Sequence, residues 1–129
     1  MVESDPRART RGELGAQGEA LAARHLEAQG YRIVARNLRI ERVEIDLIAR
    51  RGASVVFVEV KTRSSRSAGA PEEAVDARKL ARLRRGAAAW LRQHGAGARA
   101  ARFDVIACER APDGRWELRH LEAAWDGSG

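Results

Sequence analysis

Four residues have the types and spacing to do chemistry together: Glu19, Asp46, Glu59 and Lys61. Glu59 and Lys61 close the run Val55-Val-Phe-Val-Glu-Val-Lys61, in which five of seven residues are apolar and four of those are β-branched. Such a run reads as a strand covered on both faces. Side chains alternate along a strand, so Val55, Phe57, Glu59 and Lys61 share one face and Val56, Val58 and Val60 take the other. Two charges on so apolar a strand either mark its exposed end or have partners, because an unpaired buried charge is costly. Composition singles out the lysine. Of 24 basic residues 22 are Arg, and Lys61 and Lys79 are the two lysines. Lysine provides a compact point charge with a tunable pKa, where guanidinium is a wide fork that stays charged.

The partner of this strand is Val43-Glu-Ile-Asp-Leu-Ile-Ala49, joined to it through Arg50-Arg-Gly-Ala-Ser54 as an antiparallel hairpin. Strict alternation puts Glu44, Asp46 and Ile48 on one face and Val43, Ile45, Leu47 and Ala49 on the other. A loop centred on Gly52-Ala53 sets Asp46 opposite Glu59 and Glu44 opposite Lys61, with opposed Cβ atoms about 5 Å apart. Two carboxylates held together repel unless a proton or a cation lies between them. Hard oxygen donors favour Mg²⁺ or Mn²⁺. Such an ion can activate water and stabilise the charge of a phosphodiester being cut, with Lys61 orienting or deprotonating that water. The Val60 carbonyl is a further candidate ligand, and Glu19 joins the set if its helix packs on that side.

The elements that must position these residues follow from periodicity. Residues 1–9 read as a flexible tail. Thr10 and Glu13 form a capping-box pattern that opens a helix, Leu14, Leu21, Ala22 and Leu26 mark its apolar face, and Gly30 stops it. A short strand follows at 31–34, with 36–42 as strand end and turn. After Lys61 comes the loop 62–69, carrying Arg63 and Arg66. A second helix opens near Pro71, Glu72 and Glu73 and runs to about His94, with Ala77, Leu80, Leu83, Ala87, Trp90 and Leu91 as its stripe. Arg78, Arg82 and Arg85 line another face. Strands at 102–108 and 116–118 and a closing segment at 121–125 complete a single domain, 10–125, before a flexible end at 126–129. The order is helix, three strands, helix, two strands: an α/β domain with a central mixed sheet flanked by helices.

A chain of 129 residues with net charge +6 is one basic domain, and a basic domain of this size commonly meets nucleic acid. No apolar stretch approaches the ~20 residues that cross a bilayer, so no membrane association is expected. The absence of a secretory h-region and the single Cys108, read as a small core residue on a strand, place the protein in the cytoplasm. His25, His94 and His120 form no motif in the sequence.

These residues resemble the PD-(D/E)xK superfamily, the restriction-endonuclease-like fold. More narrowly, the chain is similar to the YraN family of uncharacterised bacterial endonuclease-like proteins, related to archaeal Holliday-junction resolvases. The resemblance spans about residues 12–108. It is carried by Gly15-x-x-Gly18-Glu19, Ala22, Leu26, Gly30-Tyr31, Arg36-Asn37, Glu44-Ile-Asp-Leu-Ile48, Phe57-Val-Glu-Val-Lys-Thr-Arg63, Lys79 and Arg102-Phe-Asp-Val105. It implies Asp46 and Glu59 as metal ligands, Lys61 as the catalytic lysine and Glu19 as the helix-one glutamate at the site. Val43 stands where the family usually has glycine, and Ile45 where the superfamily's name has proline. The first functional expectation is a Mg²⁺- or Mn²⁺-dependent nuclease acting on DNA, branched DNA included, with Arg63, Arg66, Lys79 and Arg82 contacting the nucleic acid and a homodimer as one way to cut two strands. The second is a nucleic-acid-binding or scaffolding module that keeps the fold without the chemistry. The third is a purely structural ion-pair cluster.

Overall fold

The computed structural model describes the chain at residues 6–64 and 77–125, with side chains at 12–64 and 77–122. Its elements are α1 (Pro6–Ala28), β1 (Arg32–Ile40), β2 (Val43–Arg51), β3 (Ser54–Ser64), α2 (Ala77–His94), β4 (Ala100–Arg110) and β5 (Trp116–Trp125). The five strands form one sheet in the order β1-β2-β3-β4-β5. Neighbours are antiparallel except β3 and β4, which run parallel because the connection between them passes through α2. This is the expected α/β arrangement, and it is consistent with a restriction-endonuclease-like fold.

Two cores sit on the two faces of the sheet. Ala22, Ala23 and Leu26 of α1 pack with Leu47, Ala49, Val56, Val58, Ile106 and Cys108. Leu83, Ala87 and Trp90 of α2 pack with Val43, Ile45, Ile48, Val55, Phe57 and Phe103. Burial on both faces explains why β3 reads as an unbroken apolar run. Cys108 is fully buried on β4, as expected, and burial pushes its thiol up to about 11.

Several boundaries differ from the expectation. Helix α1 begins at Pro6 rather than Thr10, so Thr10 lies inside it. Proline suits a first helical turn, whose N–H groups have no intrahelical acceptor. At the other end Gly30 does stop the helix. It adopts φ +92°, its N–H donates to Glu27 O, and the Tyr31 N–H reaches back to Leu26 O, both at 3.0 Å. Strand β1 continues to Ile40, and a two-residue turn follows in which Glu41 and Arg42 have φ +51° and +62°. The segments 116–118 and 121–125 form one strand, β5. On α2, Gly86 and Ala89 are buried and Ala77 is exposed, where the stripe had placed Ala77 inside. Pro71, Glu72, Glu73 and Arg66 lie outside the described residues.

Candidate functional site: a carboxylate cleft where the hairpin opens

The β2–β3 hairpin turns at Gly52-Ala53 in the expected register, from Arg51 opposite Ser54 to Leu47 opposite Val58. There the pairing ends. Asp46 and Glu59 are not a ladder pair, nor are Glu44 and Lys61, and strict alternation fails in β2. Val43 and Ile45 face α2 together with Ile48, while Leu47 and Ala49 face α1. The break falls at Asp46. On the other side of β2, the pairs Arg36–Leu47 and Leu38–Ile45 bracket Asn37, which has φ +47°. Asparagine tolerates that conformation better than most residues. In the opened end the Asp46 Oδ2 accepts the Val60 backbone N–H at 2.8 Å. A side-chain carboxylate has thus taken the place of a ladder carbonyl.

This end of the hairpin forms one wall of a cleft of about 310 Å³, whose lining includes Arg42, Glu44, Asp46, Glu59, Lys79 and Arg82. Glu59 is 8 % exposed. Its Oε1 meets Lys79 Nζ at 2.6 Å and Lys61 Nζ at 3.2 Å. Burial, then the Glu59 charge, raises Asp46 to about 7, and the charges of Glu19 and Glu44 add to this against the Val60 hydrogen bond. Burial works to lower the Lys79 ammonium pKa, but the hydrogen bond and charge of Glu59 outweigh it and the net shift is upward. Asp46 is therefore half-protonated near neutral pH, beside a carboxylate already held by two cations.

Glu19, half-buried on α1, lies close enough for its charge to act on Asp46, but it does not line the cleft. Its Oε2 accepts Asn37 Nδ2 at 3.1 Å. Gly18 brings α1 this close, since a Cβ there would overlap the Thr62 side chain of β3. Arg82 is exposed on the cleft rim, in line with exposed Arg78 and Arg85. Arg63 lies near the end of β3, outside the cleft lining. Val43, at the family's glycine position, is buried against α2, where a Cβ on Gly86 would come 3.5 Å from Val43 Cβ.

Two features were not foreseen. Lys79, expected to touch nucleic acid, is the nearest partner of Glu59; its rarity in an Arg-rich chain was the available signal. The histidines, unremarkable in sequence, include a pair in contact, His25 Nε2 with His120 Nδ1 at 3.0 Å. His120 Nε2 in turn meets Asp104 Oδ2 at 2.6 Å. Asp104 is fully buried and also accepts Arg102 Nε at 2.9 Å, while Arg102 reaches the Tyr31 hydroxyl at 3.2 Å. Spacing carried no signal of this, because the contributing elements meet only in the fold.

An α/β sheet of this order, with carboxylates and a lysine at an opened hairpin, is consistent with the restriction-endonuclease-like fold. The chain matches "Uncharacterised protein family UPF0102" over residues 18–108. It belongs to that family, the YraN family. It is 52 % identical to a UPF0102 protein of Beutenbergia cavernae, over 88 % of this chain and 96 % of the relative. A UPF0102 protein of Symbiobacterium thermophilum is 49 % identical over 87 % and 95 %. One from Moorella thermoacetica is 51 % identical over 76 % and 82 %. No helix among the described residues is long and apolar enough to cross a membrane.

Proposed function

We propose that this protein is a metal-dependent endonuclease that hydrolyses phosphodiester bonds in DNA, branched DNA included, in the cytoplasm. The observation that carries the reading is the pair of crowded carboxylates, with Asp46 raised to about 7 next to Glu59 and with Lys61 at the same carboxylate. Like charges held together at a stability cost are a mark of functional sites. Among the described residues no three His, Cys, Asp or Glu side chains converge as a ready-made metal cluster. The donors present nonetheless suit Mg²⁺ or Mn²⁺, hard ions that take one or two carboxylates and fill their remaining positions with water and phosphate oxygens. Asp46, Glu59 and the Val60 carbonyl would hold the ion, which would supply charge stabilisation and an activated water. Lys61 then orients the water or neutralises charge developing on the phosphate. Arg82 and Arg63 hold the DNA backbone, and Arg66, on the connecting segment, is assigned the same role. A homodimer would place two such clefts on two strands.

The test is cleavage of labelled linear, nicked, flap and four-way-junction DNA in Mg²⁺ or Mn²⁺. Wild-type protein cuts at least one of these, and Asp46→Asn, correctly folded, cuts none. Equal cleavage by the two proteins would refute the proposal. One observation favours a second reading, a binding module without turnover: Lys79 and Lys61 already neutralise Glu59. That reading expects salt-sensitive DNA binding and no cleavage in either metal.

A further inference from the structure

Besides the carboxylate cleft, the described residues form a groove of about 470 Å³ between β1 and α2. Its lining includes Arg32, Arg39, Arg50 and His94 and contains no carboxylate. Arg32 stands directly opposite Arg50 in the antiparallel β1–β2 ladder. Like charges paired across strands destabilise a sheet. Arg50 is fixed there, since its guanidinium donates to Gly52 O at 2.9 Å and Ala96 O at 2.7 Å. Arg32 and Arg39 are exposed, and neither forms an ion pair with any described residue. Arg39 faces Glu44 across the same ladder, so the uncompensated like-charge contact is Arg32 with Arg50, and it is built into the sheet.

Apart from Gln93 the rest of the lining is apolar, with Leu38 among its members. A bare phosphate needs no apolar floor, and a duplex is too wide a rod to enter a pocket. Phosphates on arginines with bases and sugars on apolar surface describe a single strand. The groove also lies on the same face of the sheet as the carboxylate cleft, and both open between the β1–β2 hairpin and α2. They are divided where Gly86 admits the hairpin, a Cβ there coming 3.4 Å from Ile40 Cγ2. From Lys79 to Trp90 the helix rises about 16 Å at 1.5 Å per residue. At about 3.4 Å per stacked nucleotide this is roughly five nucleotides.

We infer that this groove binds an unpaired stretch of the nucleic acid whose backbone is cut in the carboxylate cleft, with Arg32 and Arg39 on its phosphates. The inference rests on the nucleic-acid reading above and deepens it. The substrate carries a single-stranded segment a few nucleotides from the scissile bond.

The experiment is fluorescence polarisation in EDTA, so that binding is read without cleavage. Probes are a labelled 12-mer single-stranded DNA, the same sequence as RNA, and its blunt DNA duplex. The proteins are wild type, Arg32→Glu/Arg39→Glu, and the milder Arg32→Gln/Arg39→Gln. The Glu pair weakens single-strand binding about 10-fold at low salt and the duplex less than about two-fold. The Gln pair lowers the slope of log affinity against log salt by about 1.4, or about 0.7 for each phosphate no longer neutralised. The single variant Arg32→Gln keeps or raises the melting temperature, because it removes the Arg32–Arg50 repulsion; a fall would assign Arg32 a structural role and overturn the inference. Weaker binding of DNA alone, or of DNA and RNA alike, supports the groove and names the sugar it accepts. Wild-type binding to single strands that neither double variant changes would overturn the inference and leave the nuclease reading standing. Failure of wild type to bind either single strand would overturn the inference, and the cleavage assay above decides the nuclease reading separately. Displacement of the 12-mer by poly-glutamate at an equal concentration of charges would overturn it in favour of an acidic protein partner.

Discussion

Asp46 occupies a position that costs the folded chain stability. Its carboxyl is raised from 3.8 to about 7, so between those values the folded state binds a proton that the unfolded chain releases. Stability tied to this group is therefore greatest at low pH and falls as pH rises toward 7. Discounted for partial exposure, the cost above pH 7 is about 1–3 kcal/mol. Asp46→Asn removes it. In urea unfolding of metal-free protein the variant is more stable than wild type at pH 8, and the difference shrinks toward zero near pH 4. A variant equally or less stable at pH 8 would show that the carboxylate is well paired. Lys79 has the opposite role. Lys79→Met leaves the buried Glu59 with Lys61 as its one ion-pair partner among the described residues and destabilises metal-free protein by about 1–3 kcal/mol. The double variant Lys79→Met/Glu59→Gln recovers most of that stability in the same unfolding assay. No recovery would mean that the lysine matters through its packing.

The elements hold these side chains through two contacts. The first is Gly18 against Thr62, which seats α1 on β3 beside Glu19. Gly18→Ala destabilises by about 1–3 kcal/mol through overpacking, and Thr62→Gly in the same chain relieves much of it. A double-mutant cycle with no coupling would show that this packing does not seat the helix. The second is the chain His25–His120–Asp104–Arg102, which ties the end of α1 to β4 and β5. Burial, then the neighbouring His120 charge, lowers the His25 pKa, with Glu122 opposing. A histidine lowered on folding is held neutral, so stability falls as pH drops below its unfolded value of about 6.5. His25→Gln flattens that part of the thermal-stability profile, and an unchanged slope between pH 7 and 5.5 would contradict this. At this scale the sequence was legible where the signal is local: Gly30 as helix stop, the Gly52-Ala53 turn, and the apolar run of β3. It was not legible where a tertiary contact decides. The break in β2 arises because Asp46 takes the Val60 N–H, and alternation alone keeps Asp46 in a regular ladder. The polar chain around Asp104 joins residues 95 positions apart, which no local pattern reports.

At the scale of the molecule, the described residues form one five-stranded sheet with a helix on each face and a polar opening where β2 and β3 part. The family and the order of elements along the chain follow from the sequence. The use of Lys79 as a cation on Glu59 follows from the structure, because only the packing of α2 on the sheet brings the two together. Under the function proposed above, a divalent cation would take the place of that lysine and of the Asp46 proton. The most direct test of a cation site at Asp46 and Glu59 is Mn²⁺ binding followed by the electron paramagnetic resonance signal of the free ion, for wild type and Asp46→Asn at pH 6 and pH 8. The expected result is one ion per chain, bound about 10-fold or more tightly at pH 8 than at pH 6 because Asp46 must release its proton, and no comparable binding by the variant. Wild-type protein that binds no Mn²⁺ at pH 8, or binds it as tightly with Asn at position 46, would contradict a cation site there.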